Sequence, residues 1–111
     1  MIEVKYGLIP KESFYKYFQY LINKTYKILP LKEEESKTLK SYLDSFLREL
    51  IGNRDLIVAL VDEPQFITVL NTLEFLATET YSVQICKKEV FKCIRILTEI
   101  NGKYFGGDSH E

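Results

Sequence analysis

Residues 62–79, DEPQFITVLNTLEFLATE, constrain the fold more than any other stretch, because a strong helix start runs straight into apolar side chains on nearly every face. Asp62 is placed as the N-cap, its carboxylate accepting from the free N–H groups of the first turn, with Gln65 reaching back as in a capping box. Glu63 suits the positive end of the helix dipole, and Pro64 lacks the N–H that an early helical position leaves unpaired. Phe66, Val69, Leu70, Leu73, Leu76 and Ala77 then recur at the spacing of one helical face, while Ile67 and Phe75 fall off it. A helix apolar over so much of its circumference needs neighbours on several sides. The expectation is an all-α bundle of four main helices plus one short helix around a buried central helix at about residues 63–79, with a short extended N-terminal arm.

The remaining elements follow from the same periodicity. In residues 1–9, Ile2, Val4 and Tyr6 alternate with polar positions before Gly7 interrupts; this reads as an extended arm laid on the helices, with strand pairing to residues 56–61 as the alternative. Pro10 opens a first helix whose stripe is Phe14, Tyr17, Phe18, Leu21, Ile22, Thr25, Ile28 and Leu29, and Pro30 ends it. A second helix starts near residues 32–36, where Glu33, Glu34 and Glu35 suit the dipole, and runs to Ile51 with Gly52 as its stop. Asn53 caps a short segment over residues 54–61, in which LIVALV is rich in strand formers, but its place between a helix stop and a new helix cap favours a buried short helix over a strand. The last helix spans residues 83–101 and turns Cys86, Val90, Cys93, Ile94, Leu97 and Ile100 inward, with Gly102 as its stop. Tyr104 and Phe105 fold back as an anchor. Residues 1–105 make a single helical domain, and residues 106–111, GGDSHE, form a mobile tail with nothing to bury.

Composition narrows the function classes. A chain of 111 residues suits one domain burying roughly 65% of its unfolded surface. A formal net charge of -1 argues against general polyanion binding. Eight Tyr and seven Phe with no Trp imply an aromatic core. The bias toward Phe, Tyr, Ile, Asn and Lys over Gly, Ala, Arg and Pro is that of an AT-rich genome, such as a low-GC bacterium or one of its phages. Glu3 and Lys5 interrupt any signal-peptide core, and no apolar run is long enough to span a membrane, so a cytoplasmic location without membrane partners is expected. Cys86 and Cys93 lie about 10.5 Å apart on one helix, too far for a disulfide, and are read as reduced core thiols.

Catalytic signatures are absent from the sequence: it holds no phosphate-binding glycine loop, nucleophile elbow, HExxH or paired CxxC. The single histidine, His110, lies in the tail. Glu33, Glu34 and Glu35 read as a solvated helix start. Glu74, on the helix expected to be buried, is either at a window of solvent or a buried carboxylate with a raised pKa. No enzyme activity, cofactor or metal is expected.

Two binding functions remain. Tyr20 and Tyr26 fall more than about 90° from the first helix's apolar stripe, on opposite flanks, and tyrosines in such places suit protein interfaces. The favoured reading is a non-catalytic helical protein acting through protein–protein interaction or self-association, of the immunity, inhibitor, assembly or phage-accessory kind. The alternative is a nucleic-acid-associated subunit using a basic face of the first helix and Lys88, Lys92 and Arg95 of the last. A helix-turn-helix over residues 54–61 and 65–78 is disfavoured, because between Arg54 and Lys87 there is no Lys or Arg.

Overall fold

The computed structural model describes residues 2–5, 7–61 and 63–104. Tyr6, Asp62, Phe105 and the 106–111 tail with His110, each read above, lie outside the described residues. The chain folds as β1 (Ile2–Val4), β2 (Gly7–Ile9), α1 (Lys11–Tyr26), α2 (Ile28–Glu33), α3 (Leu39–Leu56), α4 (Val58–Val61), α5 (Pro64–Thr78) and α6 (Val83–Tyr104). This is a small all-α bundle carrying a two-stranded hairpin.

The N-terminal arm is not merely extended. It folds on itself in antiparallel register, Ile2 opposite Ile9 and Val4 opposite Gly7. Strands this short do not hold alone. Burial of Ile2 in the helical core, a Val4–Ile57 bridge and a 2.7 Å hydrogen bond from the Lys5 N–H to the Leu56 carbonyl tie the hairpin to the bundle. Both options for residues 56–61 are therefore partly realised: Ile57 bridges as a strand would, and Val58–Val61 is a single helical turn.

α1 buries Phe14, Phe18, Leu21, Ile22 and Thr25, the stripe its spacing predicts, and the Thr25 hydroxyl donates to the Leu21 carbonyl at 2.8 Å. Pro30 does not end this helix. The break comes at Lys27, and Pro30 sits in the first turn of α2, where a missing N–H costs nothing. The glutamates expected at the start of the second helix lie instead at the end of α2 and in the following turn, where Glu35 takes φ 51° to reverse the chain. α3 then begins at Leu39 and runs through Gly52 to Leu56. Likewise Gly102 lies inside α6, which continues to Tyr104. A helical glycine costs only about 1 kcal/mol, less than the packing of the residues around it supplies.

α5 packs between α3 and α6 through Phe66, Val69, Thr72, Leu73 and Leu76. Its off-face residues are not covered as expected: Ile67 and Phe75 remain 40% and 36% exposed. α6 packs against α1, α2 and α5 and buries Cys86, Val90, Cys93, Ile94, Ile96, Leu97, Ile100 and Asn101. Both cysteines are free and buried. Phe14, Phe18, Phe46 and Phe66 are fully buried, with the Phe14 and Phe18 rings stacked at 4.6 Å. Tyr104 does not fold back. It ends α6 with its ring edge-on to Phe14 at 5.5 Å.

Candidate interaction surface on the first helix

α1 places its two off-stripe tyrosines in different surroundings, as their angular offset predicts. On the α3 side, Tyr20 is 46% exposed, and its hydroxyl donates to Glu49 Oε1 at 3.1 Å while accepting from Lys24 Nζ at 3.2 Å. Lys24 also pairs with Glu49 at 3.0 Å and lies 5.3–5.7 Å from the ring centroids of Tyr20, Tyr42 and Phe46. Burial alone pulls the Lys24 pKa down, but hydrogen bonds to Glu49 and Tyr20 more than offset it and the net shift is upward. The Tyr42 hydroxyl donates to the Lys24 carbonyl at 2.6 Å, and Asn53 Nδ2 donates to the Tyr17 hydroxyl at 2.7 Å. Burial pushes the Tyr17 phenol up to about 12 and raises that of Tyr42. This flank is a set of long-side-chain bridges between α1 and α3, and Tyr20 belongs to it.

On the α6 side, Tyr26 is 45% exposed and meets Phe91, 49% exposed, edge to face at 6.1 Å. Sequence reasoning missed Phe91. The signal was present, because Phe91 falls outside the inward stripe of Cys86, Val90, Cys93, Ile94, Leu97 and Ile100 as Tyr26 falls outside that of α1. Lys88 and Arg95 stand one turn either side of Phe91 on α6.

α1 and α6 lie against each other, as the basic-face alternative supposes, but several of its cations are already engaged. Lys88 is exposed, but Lys92 pairs with Glu89 at 2.8 Å and Arg95 with Glu99 at 3.3 Å. Glu99 also accepts from Gln65 Nε2 at 3.3 Å. Lys24 is spent on Glu49 at the opposite flank of α1. The helix-turn-helix alternative is not formed, since Arg54 belongs to α3 and α4 is a single turn.

Glu74 is exposed, so the buried-carboxylate alternative does not hold there. Among the described residues the buried carboxylate is Glu63, only 4% exposed. It caps α5 by accepting from the Gln65 N–H at 3.4 Å, the task assigned above to Asp62, and takes Lys103 Nζ at 2.8 Å and the Tyr104 hydroxyl at 3.5 Å. The Lys103 hydrogen bond, aided by Gln65 and Tyr104, holds its carboxyl below the ordinary range against the opposing effect of burial. This arrangement ties the start of α5 to the end of α6. Among the described residues no three His, Cys, Asp or Glu side chains come together as metal ligands, and no helix is long and apolar enough to cross a membrane. No protein-family model, curated protein or solved structure matches this chain.

Proposed function

We propose that this protein is a non-catalytic binding module that recognises another protein through the α1–α6 face centred on Tyr26 and Phe91. The exposed edge-to-face pair supports this reading most directly. Two large rings half open to solvent on a bundle with a well-packed aromatic core are surplus to monomer stability, and such rings dominate binding energy when a partner desolvates them. The flanking exposed Lys88 suits a partner with an acidic rim. A two-fold homodimer on this patch would bring two copies of the same cationic patch together, which favours a different protein over self-association. Buried free thiols fit a reducing, cytoplasmic setting, and an immunity, inhibitor or assembly-type role in a bacterium or phage is the kind of work such a module does.

The test is partner capture from native cells by wild type and by the Tyr26→Ala/Phe91→Ala variant, with sedimentation to follow self-association. Loss of about 2 kcal/mol or more of binding, roughly 30-fold, with unchanged circular dichroism supports the reading. Unaffected capture, together with nucleic-acid binding that falls steeply with salt and is lost on changing Lys88, Lys92 and Arg95, would replace it with the nucleic-acid alternative.

A further inference from the structure

The other flank of α1 carries a groove. A cleft of about 610 Å³ is bounded by Lys16, Tyr20 and Asn23 of α1, Lys27 at its C-terminal cap and Tyr42 of α3. It shares Lys24, Lys27 and Tyr42 with a second cleft of about 670 Å³ that reaches Pro30 and Leu31 of α2. The shared walls make the two one elongated groove, each half within the usual range of about 300–1,000 Å³ for binding sites.

Charge is unevenly distributed along it. Glu49 is neutralised by Lys24, whereas neither Lys16 nor Lys27 makes an ion pair with any described residue. Lys16, Tyr20 and Asn23 form one stripe of α1 that Lys27 continues at the helical C-cap, with the two lysines separated by about 16 Å at a rise of about 1.5 Å per residue. Near Pro30 and Leu31 stands Glu34, among the described residues the sole carboxylate lining either cleft. One end is therefore cationic and the other apolar with a negative charge beside it.

We propose that this groove takes an extended acidic peptide segment ending in an apolar residue. Its carboxylates lie along Lys16 and Lys27, and its apolar end lies against Pro30 and Leu31. Cations this far apart do not converge on one phosphate or carboxylate. They match a chain that repeats its charge, and about five residues of extended peptide at about 3.3 Å each span the distance. The Asn23 amide, placed between them, can bond a peptide backbone. Glu34 sets the direction by excluding the acidic part from the apolar end, and it opposes a nucleic-acid strand, whose phosphates would continue past it. The assignment rests on the protein-binding reading above and adds a second contact on the same helix.

The probe is a fluorescein-labelled run of glutamates ending in leucine and phenylalanine, followed by anisotropy with the full chain. Saturable binding is expected, weakened at least about tenfold, or about 1.4 kcal/mol, by Lys16→Glu/Lys27→Glu and also by Lys16→Gln/Lys27→Gln. Leu31→Ala weakens it as well, and Tyr26→Ala/Phe91→Ala leaves it unchanged. No saturation up to about 1 mM, binding as tight as wild type in both lysine variants, or displacement of the probe by an oligothymidylate at matched charge would overturn the assignment. If the peptide fails while Tyr26 and Phe91 still govern partner capture, the groove assignment falls and the protein-binding reading stands.

Discussion

Leu73→Ala measures how α5 is seated. Leu73 is fully buried on the inner face of a helix held between α3 and α6. The substitution removes three carbons at about 0.8 kcal/mol each, close to 2.4 kcal/mol of transfer free energy. A cavity penalty of about 24 cal/mol per Å³ adds to this, because helices on both sides limit collapse into the space. The expected loss is about 3–4 kcal/mol. At roughly 4 °C per kcal/mol for a domain of this size, the melting temperature falls by roughly 10–20 °C. Ile67→Ala on the same helix is the control. That side chain is 40% exposed, and part of its lost burial is returned by the better helix propensity of alanine, so the change stays within about 1 kcal/mol. Urea unfolding followed by circular dichroism reads both variants, with the denaturant slope unchanged. An Ile67→Ala loss equal to or greater than that of Leu73→Ala would mean that α5 presents its other face to the core, and the packing described above would be wrong.

Burial pushes the Cys93 thiol up to about 12 and raises that of Cys86, so neither should react with a thiol reagent at neutral pH until denaturant is added. Two fast thiols in the native protein would show that α6 is rotated. Glu63 has a lowered folded pKa, so its contribution is complete above the ordinary glutamate value of about 4.3 and is lost as pH falls through the folded value. Glu63→Gln should therefore flatten the acid limb of a stability–pH profile and cost about 1 kcal/mol at neutral pH through the weakened cap. An unchanged acid limb would count against the Glu63–Lys103 tie. Gly52→Ala should stabilise the protein by roughly 0.5–1 kcal/mol in thermal or urea unfolding, since an added Cβ there meets nothing within 4 Å. Destabilisation would restore glycine as a helix stop.

Residue spacing alone determined which faces are buried. The stripe from Phe14 to Thr25, the inner face of α5 and the thiols of α6 all follow from the 3.6-residue period, which any helix of that sequence must obey. The opposite flanks of Tyr20 and Tyr26 are legible for the same reason. Helix ends and pairings were decided only by tertiary structure. Pro30 sits inside a helix because the chain breaks one turn earlier. Gly52 and Gly102 are carried through because a local stop signal costs only about 1 kcal/mol, and beyond them Asn53 bonds Tyr17 and the Tyr104 ring meets Phe14. Glu63 is buried because Lys103, forty residues away, arrives to pair with it. Phe91 reaches Tyr26, and Lys24 reaches Glu49, because of how α6 and α3 lie against α1. Periodicity assigns a residue to a side of its own helix, but what stands opposite depends on which helix arrives there, and that is set by the summed packing of the whole chain.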